Sequence, residues 1–294
     1  MGAIAQNKMN MKKLIITIFS LLLTVNLLAQ SVDFTKPDSL RVVALMKKAK
    51  TLKDKSMASY MLFFGRELRG IPYVAKTLEK NSTEKLVVNL RQLDCTTYVE
   101  TVLALSRSMA KGQQTFAGYC NNLRQIRYRN GVVSYPTRQH YFTYWIQENT
   151  REKIVANIQS PNPPFSGVQT VKADYMTTHL SSYPMLKGKP QWVKEIAEME
   201  KSITGTKQRY IPKTAVNNSS LLRRTIHNGD IIAIVTTKTG LEISHIGIAA
   251  WHKDGLHMLN ASSLYHKVVE DSNLLRTYLS KQTSALGIRI VRPL

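Results

Sequence analysis

Between residues 230 and 261 the chain changes from a helical to a strand period, and this stretch restricts the fold more than any other. Residues 230–237 (DIIAIVTT) form a near-continuous β-branched run, and residues 241–251 and 256–261 read as two further strands. Lys238-Thr239-Gly240 and Lys253-Asp254-Gly255 separate them as turns. Connections this short impose antiparallel pairing, so a meander is expected. Upstream, residues 39–69 carry a helical period, with Val42, Leu45, Met46 and Ala49 on one stripe and a second amphipathic stretch around residues 57–68, until Gly70-Ile71-Pro72 stops it. Helices followed by an antiparallel sheet give an α+β class, and with no internal repeat or long linker one elaborated domain over residues 30–294 is expected. Residues 121–216 read as a middle insertion, whose Pro161, Pro163 and Pro164 mark an exposed loop.

Asp94-Cys95 opens a further helix, expected over residues 95–110, with Val99, Val102, Leu103 and Ser106 on one core-facing stripe. Asp94 is a good N-cap, and Cys95 then falls at the first helical position. Unpaired backbone N–H groups and the positive end of the helix dipole meet the thiol there and favour thiolate, as a nucleophile requires. Only one other cysteine, Cys120, is present. A structural thiol, or a Cys95–Cys120 bridge in an oxidising compartment, is the competing reading.

The N-terminal segment sets the compartment. Lys12-Lys13 precede an apolar run over residues 14–28 that ends in Leu27-Leu28-Ala29, the order of a cleaved export signal, with the residues before Met11 as an upstream extension. The run is shorter than the ~20 residues that span a bilayer, and it contains Thr17, Ser20, Thr24 and Asn26, so no stable membrane anchor is expected. Cleavage near Gln30 removes Lys8, Lys12 and Lys13 from 41 basic residues and leaves 38 against 19 acids, or +19. In an exported protein such a surface suits cell-wall polymer or anionic membrane better than nucleic acid, for which no motif is present, although scattered solvated charge has the same composition.

His245 lies on the middle strand, in Ser244-His245-Ile246-Gly247-Ile248. A lone strand histidine is ordinarily a packed or surface residue, but a thiol upstream makes it the natural base. Asn260 on the next strand can accept its other ring N–H and fix the tautomer. A strict two-residue turn at Asp254-Gly255 would set Asn260 opposite Ala249, about 13 Å along the strand from His245, so the triad requires a wider loop or a bulge.

Taken in order, Gly70-Ile71-Pro72-Tyr73, Asp94-Cys95-Thr96-Thr97, Gly229-Asp230-Ile231-Ile232, Ser244-His245-Ile246-Gly247-Ile248 and Asn260-Ala261-Ser262 resemble the signature of the NlpC-type, papain-like cysteine peptidases. The helix beginning Asp-Cys-Thr-Thr-Tyr-Val-Glu, Arg138-Gln139-His140-Tyr141 before Trp145-Ile146, and Arg292-Pro293 near the end are similar to the N-acetylmuramoyl-L-alanine amidase-like branch. The resemblance implies a nucleophile helix packed on the sheet, with Cys95 as nucleophile, His245 as base and Asn260 where many relatives carry histidine. It further implies Tyr73 beside the nucleophile as an oxyanion donor, a structural Asp230, and Arg138, His140 and Tyr141 as substrate contacts. Asp94 and Ser244, which flank nucleophile and base, complete the expected substrate-binding set. The implied substrates are peptidoglycan fragments, among them anhydro-ended muropeptides, cut between N-acetylmuramic acid and L-alanine in the periplasm or outside the cell, without a cofactor or metal. Three alternatives stay open: a γ-D-glutamyl-diaminopimelate endopeptidase, a zinc amidase using His245, His252 and His257, and a non-catalytic basic wall-binding module.

Overall fold

The computed structural model describes residues 32–294; the expected export signal at residues 1–29 lies outside the described residues. The chain begins with β1 (Val32–Asp33), α1 (Lys36–Ala49), α2 (Met57–Glu67), β2 (Leu86–Val87), α3 (Cys95–Ala110), α4 (Phe116–Arg127) and α5 (Phe142–Arg151). It continues with β3 (Val155–Ile158), β4 (Gly167–Thr170), α6 (Tyr175–Thr178), α7 (Pro190–Ile203), β5 (Lys207–Pro212) and α8 (Ser220–Thr225). Last come β6 (Ile231–Thr236), β7 (Ile243–Trp251), β8 (Leu256–Ser262), β9 (Lys267–Glu270), α9 (Leu275–Ser280) and β10 (Ala285–Pro293).

The expected meander is present as β6–β7–β8–β9, every neighbour antiparallel. β10 returns along the free edge of β6, and β5, β4 and β3 extend the sheet beyond it to eight strands. This makes β6 a central strand buried at all six positions, which is what its uninterrupted apolar run requires. Asp230 locks the start of β6 to the end of β10 by accepting from Arg292 Nε at 2.9 Å and Nη2 at 2.8 Å. That pair supports the structural role expected of Asp230.

Two cores cover the two faces of the sheet. Val99, Val102 and Leu103 of α3 meet Ile246, Ile248 and Leu259 on one face, while Leu222, Ile226, Leu275 and Leu279 meet Ile232, Ile234 and Met258 on the other. The single stripe expected for α3 is exceeded, because every residue from Thr97 to Met109 is buried. The helix lies between α2 and α4 on its outer sides and β7 and β8 beneath, so no face of it reaches water. Glu100 is answered internally, since Arg127 Nε of α4 donates to Glu100 Oε2 at 2.7 Å and Arg127 Nη1 donates to the Val87 carbonyl, whereas Ser106 Oγ and Arg107 Nε are buried without a partner among the described residues.

The expected insertion at residues 121–216 begins too early. Leu123, Ile126, Trp145 and Ile146 belong to the main core, and β3 pairs with β10, so α4, α5 and β3 are part of the body. The separate layer lies between β3 and β5, where Val171, Met176, Leu186, Ile196, Met199 and Ile203 pack on Tyr135, Tyr141 and Tyr144. Pro161 and Pro163 are exposed as expected, whereas Pro164 and the adjacent Phe165 are buried, the latter in the second core. No helix of the described residues is long and apolar enough to cross a membrane.

Removing one member of a buried ion pair strands the other charge. Arg127→Leu is therefore expected to lower stability by about 3–5 kcal/mol in denaturant titration, and the Glu100→Leu/Arg127→Leu double variant to recover most of that loss.

Candidate active site

Cys95 occupies the first position of α3, as expected, and Asp94 caps the helix by accepting the Thr97 N–H at 2.8 Å, while the Asp94 N–H donates to Thr97 Oγ1 at 2.9 Å. A cleft of about 210 Å³ opens over this helix end. Its walls are Cys95 and Thr96, the segment His140-Tyr141-Phe142 entering α5, the turn and strand from Gly240 to Ile246, and Tyr175, Met176 and Tyr183 from the separate layer.

The hairpin geometry decides whether a third residue reaches His245. Trp251 pairs with Leu256 and Ile248 with Leu259, so the connection is a four-residue loop and Asn260 follows the register to a place opposite Gly247. Asn260 is then one diagonal from His245, a separation that long side chains span. His245 Nε2 and Asn260 Oδ1 are 3.0 Å apart. Gly247 lets β8 approach β7 closely here, since a Cβ there would meet Met258 Cγ at 2.6 Å and the Leu259 carbonyl at 2.7 Å. Asn260 Nδ2 donates to the Met258 carbonyl at 3.4 Å, so Oδ1 is the atom turned to the ring. A carbonyl oxygen only accepts, which puts the imidazole proton on Nε2 and leaves Nδ1 as the basic nitrogen.

Both cysteines are free thiols, which removes the Cys95–Cys120 bridge as a reading. Burial and the neighbouring Asp94 charge push the Cys95 thiol up to about 11, although the Ile246 N–H and the Thr96 hydroxyl and N–H act in the opposite direction. The thiolate expected from the helix terminus alone is therefore not the resting form. His245 is shifted downward by burial, against Asn260 and Asp94, so thiol and imidazole rest as a neutral pair.

The remaining expected residues divide. Tyr73 bridges to Leu93 beside the helix start; burial and the charges of Cys95 and Asp94 raise its hydroxyl above the ordinary phenol range. Ser244, His140 and Tyr141 line the cleft. Ser244 Oγ donates weakly to the Ile234 carbonyl at 3.4 Å, and the Tyr141 hydroxyl donates to Glu200 Oε1 at 2.6 Å, so the phenol oxygen is engaged in holding the separate layer. Arg138 is absent from the cleft walls. It is buried in an ion pair with Glu79, with Glu84 at 3.5 Å, and its guanidinium lies over the Tyr135 ring. Asp94 is likewise outside the walls and is engaged in capping.

Several residues in or beside the cleft carry no local sequence signal. Tyr278 of α9 brings its ring to 6.4 Å from His245, and Tyr175, Met176 and Tyr183 arrive from a layer whose folding no local pattern specifies. Glu242 lies in the wall but is buried, accepting the Thr143 N–H at 2.6 Å and the Thr143 hydroxyl; burial raises its carboxyl above the usual range. Of the three histidines of the zinc alternative, His252 and His257 come together with ring centroids 4.7 Å apart, but their Nε2 atoms meet Glu270 at 2.8 Å and Asp254 at 3.1 Å, while His245 meets Asn260. Among the described residues no group of three or more His, Cys, Asp or Glu side chains is placed to hold a metal ion.

Residues 63–288 match the family described as AmiA-like, N-acetylmuramoyl-L-alanine amidase-like. The chain belongs to this family. Among solved structures, an N-acetylmuramoyl-L-alanine amidase from Bacteroides uniformis is 33% identical, covers 81% of this chain and 98% of its own, and superposes with a TM-score of 0.74. A Bacteroides fragilis protein provisionally named a xylanase is 37% identical over 78% of this chain and 99% of its own, with a TM-score of 0.71. A Legionella pneumophila protein, 24% identical over 87% of this chain and 94% of its own, shares the fold with a TM-score of 0.66. No curated protein sequence matches the chain. The amidase-like family assignment and the mixed α+β fold agree, and the matched residues include Tyr73, Cys95, His245 and Asn260.

Native Cys95 is expected to alkylate slowly at pH 7, with a rate rising about tenfold per pH unit toward pH 11, as a protonated thiol requires. Mass spectrometry of iodoacetamide-treated protein across that range measures it; a fast, pH-flat rate would contradict the neutral pair.

Proposed function

We propose that this member of the amidase-like family is an exported cysteine amidase that cuts the bond between N-acetylmuramic acid and L-alanine in soluble peptidoglycan fragments, including anhydro-ended ones. The observation that carries the mechanism is the 3.0 Å contact of buried Asn260 Oδ1 with Nε2 of His245, which shares the cleft wall with Cys95. The choice of bond rests on the family and on the structural neighbours named for that activity. Export rests on the N-terminal segment, and placement in the NlpC-type, papain-like group rests on the order helix-borne cysteine, strand histidine, next-strand asparagine.

In this reading His245 Nδ1 takes the Cys95 proton as sulfur attacks the lactyl carbonyl, so charge moves from a neutral pair into the oxyanion rather than starting as an ion pair. The Cys95 backbone N–H at the helix start and the Tyr73 hydroxyl are the donors for that oxyanion. Collapse expels the L-alanine amine, which receives the proton from His245 and leaves a muramoyl thioester. His245 then accepts a proton from water as its oxygen adds to the thioester carbonyl, and collapse releases the acid and the Cys95 sulfur, which takes the proton back from His245. Asn260 positions the ring and keeps Nδ1 basic, but as a neutral amide it supplies no charge to the imidazolium. Glycoside hydrolysis by a carboxylate pair, the chemistry that the word xylanase would require, finds no support in this cleft. Glu242 is the one carboxylate among its described walls, and it is occupied by Thr143.

Mass spectrometry of defined muropeptides is expected to show a free stem peptide beginning with L-alanine for the wild type and none for Cys95→Ala. Asn260→Ala is expected to lower kcat by about 10²-fold with KM little changed, the scale of impaired general-base catalysis. Release after D-glutamate would replace the bond and keep the mechanism, whereas undiminished cleavage by Cys95→Ala would end the cysteine reading.

The acid limb of kcat/KM should lie below the ordinary imidazole value of about 6.5. Lowering the pH through the depressed His245 pKa protonates Nδ1 and removes the base, while the Cys95 thiol remains protonated up to about pH 11. A limb above 6.5 in a pH–rate profile would contradict this pair.

A further inference from the structure

Helix α1 carries a second face that the core does not use. Its inward side is complete: Val42, Leu45, Met46 and Ala49 are buried, and the equally buried Asp38 accepts the Leu90 N–H at 2.9 Å and pairs with Arg91. The flanking charges are engaged as well, since Arg41 donates to the Leu90 carbonyl at 3.1 Å and Lys48 pairs with Glu67 at 2.7 Å. On the outward line the helical period places Lys36, Leu40, Val43, Lys47 and Lys50, all exposed. Leu40 is 59% and Val43 43% exposed, and Phe34, just ahead of the helix, is 42% exposed beside the Phe116 ring of α4, centroids 4.7 Å apart. Three of the eleven exposed large apolar side chains among the described residues thus fall within ten residues of chain, which is a patch rather than scatter.

Lysines frame this patch. Lys36 lies at one end of it, and Lys47, Lys50, Lys53 and Lys55 lie at the other; all five are exposed and none forms an ion pair with a described residue. Asp54 is the one exposed acid between residues 34 and 55, and its carboxylate accepts from the Ser56 N–H and hydroxyl and from the Ser59 hydroxyl. The arrangement selects among occupants. A hydrated anionic polymer would meet the lysines and leave Leu40 and Val43 in water. A second copy of this face would set lysine against lysine. An anionic bilayer surface answers both features, with acyl boundary for the apolar tips and phosphate for the ammonium groups.

We propose that the outward face of α1, with the lysines up to residue 55, docks the protein reversibly on an anionic lipid surface. Leu40 and Val43 enter the headgroup boundary, and Lys36, Lys47, Lys50, Lys53 and Lys55 lie over lipid phosphates. The contact is peripheral and uses no spanning segment. It is independent of the amidase reading, because catalysis plays no part in it.

Flotation of the exported form of the chain, its first residue read by mass spectrometry, with vesicles of about 30% phosphatidylglycerol in phosphatidylcholine tests this. The wild type is expected to float with these vesicles and not with phosphatidylcholine alone, and to be weakened more than tenfold when salt is raised from about 0.05 M to about 0.5 M. Lys47→Gln/Lys50→Gln/Lys53→Gln/Lys55→Gln should lower the partition coefficient about a hundredfold or more. Leu40→Ser/Val43→Ser, which leaves the charge unchanged, should lower it about tenfold. Lys187→Gln/Lys194→Gln/Lys201→Gln/Lys207→Gln removes the same charge from exposed positions on the separate layer and β5 and should bind nearly as the wild type does. Equal weakening by the two lysine sets would reduce the effect to net charge and overturn the docking face, as would unchanged binding of Leu40→Ser/Val43→Ser. Absence of vesicle binding by the wild type would overturn it outright, and retention on an anionic wall polymer in that case would assign the lysines to polymer instead.

Discussion

Everything at the active end depends on α3 being pressed along its length against β7 and β8. Val99, Val102 and Leu103 interlock with Ile246, Ile248 and Leu259, so the helix cannot slide or rotate without opening the main core. Cys95 at the tip of this helix and His245 on the strand beneath are fixed relative to each other by that packing, not by a bond between them. The remaining structure is arranged around the same contact. α2 and α4 cover the outer sides of α3, and the Glu100–Arg127 pair answers the charges that enclosure brings inside.

Enclosure also sets the chemistry. A helix N-terminus favours thiolate, but Cys95 is partly buried beside Asp94, and desolvation penalises the charged form more than the helix end rewards it. The same burial depresses His245. The thiol and the imidazole are therefore both held toward their neutral forms at rest. Asn260 suits this arrangement because it orients the ring without adding a charge to a poorly hydrated pocket.

Much of this was legible from residues in order. Helix α3 runs from Cys95 to Ala110 with its Asp94 cap as the residue pattern indicates, because capping is decided by side chains within one turn. The three strands of the meander follow from β-branched runs and turn residues, which are equally local. The partnership of His245 with Asn260 was legible as a need but not as a geometry. A four-residue loop in place of a two-residue turn, together with the bare Cα of Gly247, brings the two side chains into contact, and loop length is settled by how β8 packs. Arg138 illustrates the opposite failure: a basic residue in a promising motif lies among Glu79, Glu84 and Tyr135, a neighbourhood assembled from distant segments.

The sequence by itself determined the class of the fold, the helix start that carries Cys95, the strand that carries His245 and the order of motifs that marks the family, since each is encoded within a few consecutive residues. Only the tertiary structure decided the position of β10 between β5 and β6, the upward shift of the Cys95 thiol, and the aromatic cleft wall without Lys or Arg within a strongly basic chain. Strand order, burial and electrostatic surroundings depend on which distant segments come together, and that is settled by long-range packing rather than by any local pattern of side chains.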